Sequence, residues 1–179
     1  IALPKIKVRD QKSRVMFILA QIYQLYQQDE KSHEKYQLVL KNNPPYELSF
    51  FTKLYMAQVT SLNSTSDTKK IYRYFKKLLK DPKNKEYKDK MYYEMGKFEL
   101  KQNNLEKGIA YLNKSVREDL SPIQKAYSYL KLGEVYYEKI KNYKVSKSYY
   151  DSCLATLPKN NLRYPEIENR AKILTELVA

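Results

Sequence analysis

Large apolar residues recur along this chain at helical spacing, and the pattern repeats. A small residue preceded by an apolar one stands at Leu19 and Ala20, Met56 and Ala57, Met95 and Gly96, and Leu132 and Gly133, so the small residues are 37, 39 and 37 positions apart. Around them, Met16, Leu19, Ala20 and Tyr23 fall on one helical face, as do Tyr129, Leu132, Gly133 and Tyr136. A second apolar stripe follows each first one. It is read as Ser32, Tyr36 and Val39, then Lys70, Tyr74 and Lys77, then Gly108, Leu112 and Ser115, then Val145, Tyr149 and Ser152. Polar tight turns join the stripes at Gln27, Gln28 and Asp29, at Gln102, Asn103 and Asn104, and at Lys141, Asn142 and Tyr143. Pro44, Pro82, Pro122 and Pro158 stand beyond the second stripes, where a residue without an amide proton ends a helix.

The pattern predicts an all-α chain of helix pairs. Expected helices cover 11–27, 31–41, 46–61, 67–80, 86–102, 105–117, 122–140, 142–156 and 164–177. They group into repeats over 13–45, 50–82, 89–121 and 126–158 within a single domain spanning 11–179, preceded by an extended lead-in over 1–10. The second repeat is the least regular, with Thr60 at an expected aromatic position and an extra residue in its turn over 61–66. The third has Glu99 at that aromatic position and Leu120 in place of proline. A last amphipathic stretch over 164–178 is expected to cover the open end with Ile167, Ala171, Leu174 and Val178. Nothing in the pattern suggests a strand.

Composition narrows the function. The chain is 179 residues long with only three glycines, seven prolines and one cysteine, which excludes collagen-like, linker-like and disulfide-framework classes. No run reaches the roughly 18 apolar residues of a membrane span. The first residues lack an initiator Met and an apolar signal region, so the chain reads as a fragment or a mature piece. The formal net charge is +14, and the lysines outnumber the arginines 28 to 6. Two readings stay open: the codon usage of an AT-rich genome, or an anionic partner. Residues 69–101 hold 12 Lys and Arg against five Asp and Glu. The strip of Lys69, Lys70, Arg73, Lys76, Lys77 and Lys80 is therefore read either as a solvated face or as a docking surface for an acidic protein. Nucleic acid ranks third, because arginine is scarce and aromatic interleaving is missing.

Catalytic chemistry finds no constellation. His33 is the single histidine and is read as a solvent-facing helix residue, and Cys153 as a semi-buried packing residue. With no partner residues, neither builds a nucleophile–base pair or a zinc site. The glycines all fall inside helices, so no phosphate loop exists. The carboxylates Glu94 and Glu99, and Glu166 and Glu168, are read as ordinary helix-surface charges. No cofactor is implied. The tyrosine doublets at 92–93, 136–137 and 149–150 are expected to send one ring to the core and the other to a groove.

The helix pair with a small residue, an opposing aromatic and a closing proline resembles the tetratricopeptide repeat, most clearly in YLKLGEVYY over 129–137 followed by Tyr149 and Pro158. The resemblance implies a right-handed superhelix of about four repeats plus a capping helix. It places the concave groove at Arg14, Phe17 and Gln21, at Phe51, Leu54 and Gln58, at Lys90, Tyr93 and Lys97, and at Tyr127, Leu130 and Glu134. Of these, Phe17, Gln21, Phe51, Leu54, Lys90, Tyr93, Lys97, Tyr127 and Leu130 are the expected protein contacts. The Lys/Asn clamp that some repeats of this kind use for a C-terminal carboxylate is absent.

Several stretches carry a narrower likeness: RVMFILAQIY over 14–23, NPPYEL over 43–48, DPKNKEY over 81–87 leading to YYEMG over 92–96, SYYDS over 148–152, and YPEIENR over 164–170 leading to LTELV over 174–178. Together they resemble the periplasmic tetratricopeptide lipoprotein of the Bacteroidota type IX secretion and gliding machinery, the SprE/PorW family. That resemblance implies a non-catalytic scaffold at the outer membrane, attached by a lipid anchor outside this fragment. Its implied partners are the translocon and the periplasmic ring. A generic peptide-binding adaptor of another pathway is the alternative.

Overall fold

The computed structural model describes residues 9–60 and 65–179. Among these the chain forms α1 (Arg9–Leu25), α2 (Asp29–Lys41), α3 (Tyr46–Val59), α4 (Thr65–Lys80), a 3₁₀ segment (Pro82–Tyr87), α5 (Lys88–Lys101), α6 (Leu105–Glu118) and α7 (Pro122–Val135). A π turn (Tyr136–Ile140), α8 (Tyr143–Thr156) and α9 (Tyr164–Val178) complete it. No strand occurs among the described residues. The lead-in predicted over 1–10 lies outside them, apart from Arg9 and Asp10, which already belong to α1. The irregular turn predicted over 61–66 lies outside them at 61–64.

The chain divides into two compact units, Ile1–Lys76 and Lys77–Ala179, where the pattern predicts one domain over 11–179. In the first unit α1 packs on α2, α2 on α3 and α1 on α3. Ala20, Tyr36 and Val59 form a buried cluster there, with Phe17, Tyr55 and Met56 against it. In the second unit each helix from α5 to α9 packs on the next. One of its clusters joins Ala126, Leu130, Tyr150, Cys153, Leu157, Ile167, Ala171 and Leu174. Thus α9 covers α8 through Ile167, Ala171 and Leu174, while Val178, expected in the same seam, is exposed.

The helices of a pair meet at their small residues. The Ser32 hydroxyl donates to the Ala20 carbonyl at 2.8 Å between α2 and α1. The Ser146 hydroxyl does the same to the Gly133 carbonyl, also at 2.8 Å, between α8 and α7. Between α5 and α6 two glycines take these places. A Cβ on Gly96 would lie 2.8 Å from Leu112 Cγ and 3.1 Å from the Gly108 carbonyl oxygen. A Cβ on Gly108 would lie 2.7 Å from the Leu100 side chain.

The turns inside the pairs share one conformation. Gln27, Asn103 and Lys141 take left-handed backbone at φ 57°, 60° and 60°. The next residue then takes the N-terminal cap position of the second helix, at Gln28, Asn104 and Asn142, and of these Asn142 accepts through its side chain from the Val145 amide. None of the three left-handed residues is glycine, so each carries a conformational cost of roughly 1–2 kcal/mol.

Two predicted stripes are corrected by one residue. The buried faces of α4 and α8 are Ile71 and Phe75, and Ser146, Tyr150 and Cys153. The predicted Lys70, Tyr74 and Lys77, and Val145, Tyr149 and Ser152, flank them at the surface or half-buried. In the fourth pair the cause is visible. Ser32 follows Ala20 by 12 positions, whereas Ser146 follows Gly133 by 13. The π turn at the end of α7 absorbs the extra residue, because its wider loop holds one more residue per turn. The second helices end shortly before Pro44, Pro82, Pro122 and Pro158, as predicted, and two of these prolines also begin the next element. Pro122 opens α7 and Pro82 opens the 3₁₀ segment, each just past an oxygen-bearing cap, Ser121 and Asp81.

Glu94 and Glu99, read as surface charges, are both buried. Glu99 accepts from Asn104 Nδ2 at 2.9 Å across the α5–α6 turn, and Glu94 pairs with Lys97 at 3.1 Å. Asp89, at the start of α5, is also buried. Its carbonyl accepts from Ser115 Oγ at 2.7 Å, and Ser115 Oγ lies 2.7 Å from Ser128 Oγ. One carboxylate oxygen of Asp89 accepts from the Lys90 amide at 2.7 Å, and the other is buried without a partner.

Two outcomes follow for stability. Gly133→Leu forces a side chain where even a Cβ would sit 2.8 Å from the Tyr150 ring. The helix-propensity gain of about 1 kcal/mol is smaller than the overpacking cost of roughly 1–3 kcal/mol or more. Thermal unfolding should show a net loss, and an unchanged midpoint would displace the crossing from Gly133. For Asp89, burial raises the carboxyl pKa above its ordinary value, outweighing the opposing Lys90 amide and charge. The native state therefore holds this proton to higher pH than the unfolded state, and stability falls as pH rises from the ordinary carboxylate value through the raised one. Asp89→Asn should unfold at a higher temperature than the parent at neutral pH, with the difference shrinking on acidification.

Candidate protein-binding surfaces

The nine expected groove residues separate into those a partner can reach and those the core has taken. In the first unit Phe17 is half-buried, with its ring 5.8 Å from Tyr36 and 5.9 Å from Tyr55. Phe51 stacks on Tyr55 at 6.1 Å. Phe17 and Phe51 then line one cavity of about 200 Å³ with Arg14, Pro45, Glu47 and Leu48. Gln21 is exposed on α1. Leu54, expected in the groove, is fully buried. It belongs to the inner face of α3 with Phe50 and Ala57, so it cannot meet a partner.

In the second unit Lys90, Tyr93 and Lys97 share one half-buried face of α5. Lys90 Nζ lies 5.2 Å from the centre of the Tyr87 ring, and Lys97 Nζ lies 5.4 Å from that of Tyr93. These are cation–π distances. Each lysine rests its aliphatic stem beside a ring and keeps its charge at the surface. Tyr127 is half-buried, and its hydroxyl accepts from Asn161 Nδ2 at 3.2 Å. That bond fixes the ring beside the loop before α9. Leu130 is 3% exposed and belongs to the core cluster of α7, α8 and α9, which removes it from the groove set.

All six residues of the basic strip are exposed on α4. Lys69, Arg73, Lys76 and Lys80 follow the i, i+4, i+7, i+11 spacing of a single helical face, with Lys70 and Lys77 beside them.

The tyrosine doublets depart from expectation. Tyr150 is buried beside half-buried Tyr149, but both members of the 92–93 and 136–137 doublets are half-buried. They pack on neighbouring tyrosines instead. Tyr92 stacks on Tyr111 at 6.3 Å with Lys114 over both rings, and Tyr149 meets Tyr129 and Tyr136 at 6.3 and 5.4 Å. The Tyr111 and Lys114 pairing was readable in the sequence from its i, i+3 spacing, since such residues share a helix face. The second ring, on another helix, leaves no local signal.

His33 and Cys153 stand on different helices, α2 and α8. His33 is half-buried on α2. Cys153 is fully buried rather than semi-buried, and loss of hydration pushes its thiol pKa up to about 11. Among the described residues, no helix is long and apolar enough to cross a membrane.

No protein-family model matches this chain, and no curated protein matches it.

The cysteine gives a direct chemical check. At pH 8 a thiol held near pKa 11 is about 0.1% thiolate, and the core bars a reagent from reaching it. A disulfide reagent should leave native Cys153 unlabelled over the time that labels the guanidinium-unfolded chain completely. Rapid labelling of the folded chain would mean that α8 opens from α7 readily.

Proposed function

We propose that this chain is a non-catalytic protein-binding scaffold of tetratricopeptide-type helix pairs. In this reading it is the periplasmic part of an outer-membrane lipoprotein of the type IX secretion and gliding machinery. The observation that carries the repeat assignment is the shared construction of three helix pairs. Each has a small residue on its first helix, a second small residue 12 or 13 positions later, and a left-handed turn between them. Chains that stack one such unit many times are suited to holding long partner segments along one face. The narrower assignment rests on the stretches from RVMFILAQIY to LTELV described above.

The reachable part of the expected groove suits protein rather than a small metabolite. Phe17 and Phe51 offer an apolar cavity with one arginine and one glutamate at its wall. Tyr93 and Lys97 offer a ring and a cation side by side, the cation held by the buried Glu94 carboxylate. Tyrosine supplies contact area at small entropic cost, and a central aromatic anchor of this type carries roughly 2 kcal/mol or more of binding energy. The partners in this reading are the translocon on one side and the periplasmic ring on the other.

The test is made in a type IX strain that carries the parent gene. Tyr93→Ala with Tyr127→Ala should leave the lipoprotein and its neighbours at normal abundance while cargo export falls and co-purification of at least one envelope component is lost. Normal export with unchanged co-purification would sink the assignment.

A further inference from the structure

Among the described residues of α4, none of the buried ones is small. Ile71, followed by Phe75, takes the inward positions of α4 that Ser32, Gly108 and Ser146 hold elsewhere. A branched side chain in that place fits the cavity found there. It measures about 320 Å³ and is lined by Leu40, Met56, Ala57, Ile71 and Tyr74, with Lys53, Thr60 and Lys70 also in its wall. That volume lies at the lower end of ligand sites, which run from about 300 to 1,000 Å³. The cavity shares no residue with the one formed by Phe17 and Phe51.

Three features of the wall define what would fill it. The lining is mostly apolar, so the occupant brings hydrocarbon. The Tyr74 hydroxyl is buried and has no hydrogen-bond partner, which is a cost that a ligand accepting its proton would remove. Burial, with Tyr46 nearby, also keeps that phenol protonated far above its ordinary pKa, so it acts only as a neutral donor or acceptor. Lastly, Lys53 and Lys70 in the wall are exposed, and exposed Lys69, Arg73 and Lys76 continue the positive charge along α4. From 69 to 76 the helix rises about 10 Å. A single carboxylate headgroup does not span that row, whereas a polypeptide with several carboxylates does.

We infer that this cavity and its lysine rim form a peptide-binding site for an acidic segment that inserts a large apolar residue. The apolar side chain enters between Leu40, Met56 and Ile71. Flanking Asp or Glu residues meet Lys53, Lys69, Lys70 and Arg73, and the Tyr74 hydroxyl donates to an oxygen of the bound segment. The site rests on the scaffold reading only in taking a protein as its occupant, and it needs neither the Phe17 cavity nor the Tyr93 face.

The test uses the purified full chain and a fluorescein-labelled peptide in which a Leu-Phe pair is flanked on each side by four glutamates. Anisotropy at low salt should show saturable binding. Affinity should fall at least tenfold when Leu-Phe becomes Ser-Ser, and again when the glutamates become glutamines. Lys53→Glu with Arg73→Glu, both at exposed positions, should weaken the parent peptide at least tenfold with unchanged thermal unfolding. Tyr74→Phe should keep or raise the unfolding temperature, because it deletes an unpartnered buried hydroxyl, yet weaken the peptide about fivefold. Equal binding of the Ser-Ser peptide, or full binding by Tyr74→Phe, overturns the site. So does dodecanoate that binds more tightly than the peptide and displaces it, which would make the cavity a lipid site. These readings come from the isolated chain, so their failure leaves the secretion test of the scaffold assignment standing, and the reverse holds.

Discussion

Two helices can approach closely only where neither carries bulk, and in this chain that condition is met at a few chosen positions. All three glycines stand at such positions: Gly96 and Gly108 opposite one another, and Gly133 under the Tyr150 ring. Each costs the helix about 1 kcal/mol relative to alanine. The close packing of Leu100, Leu112 and Tyr150 over them is what that cost permits. Where serine replaces glycine on the second helix, it adds a hydrogen bond to a carbonyl of the first, at Ala20 and at Gly133. The left-handed turns at Gln27, Asn103 and Lys141 serve the same end, because they return the chain in time for the next small residue to land on the crossing. The order of the cores in both units follows from these meetings.

Much of this was legible from the residues. Glycine or alanine after a large apolar residue, at a spacing near 38, marked the first helices, and Ile167, Ala171 and Leu174 marked the cover given by α9. The second helices were harder because a fixed offset does not survive an insertion. One added residue rotates a helix by about 100°, so counting from Gly133 selects Val145 when the chain buries Ser146. A π turn is invisible in the pattern, since Tyr136 to Ile140 reads like any helical stretch. Leu54 and Leu130 failed for another reason. A position facing a groove in a resembling family holds an apolar side chain here, and an apolar side chain is drawn into whatever core lies beside it. The buried Glu94 and Glu99 went unseen because burial of a carboxylate depends on its partner. Neither Lys97 nor Asn104 announces such a role.

The surplus of lysine looks different once the rings are placed. Lys90, Lys97 and Lys114 each lie over a tyrosine, and together they turn part of the surface into alternating ring and cation. The exposed lysines and arginine of α4 form a row instead. Their charge stands along one helix whose opposite side holds Ile71 and Phe75. The same charge excess therefore has two physical settings. In one it is screened by aromatic faces, and in the other it is presented along a row.

The serine tethers also bear on how these units respond to force. A hydroxyl bonded at 2.8 Å to a main-chain carbonyl in a dry crossing fastens α2 to α1 and α8 to α7 close to the connecting turn, at the fourth residue of each second helix. Tension on the open end of such a hairpin reaches that bond only after most of the two helices has peeled apart. In the α5–α6 hairpin the glycines hold the crossing by tight packing, and a bond of the same kind, from the Ser115 hydroxyl to the Asp89 carbonyl at 2.7 Å, sits at the open end instead. Under load the α5–α6 hairpin is thus clasped where peeling would begin, whereas those of α1–α2 and α7–α8 are clasped beside their turns and would open from their free ends first.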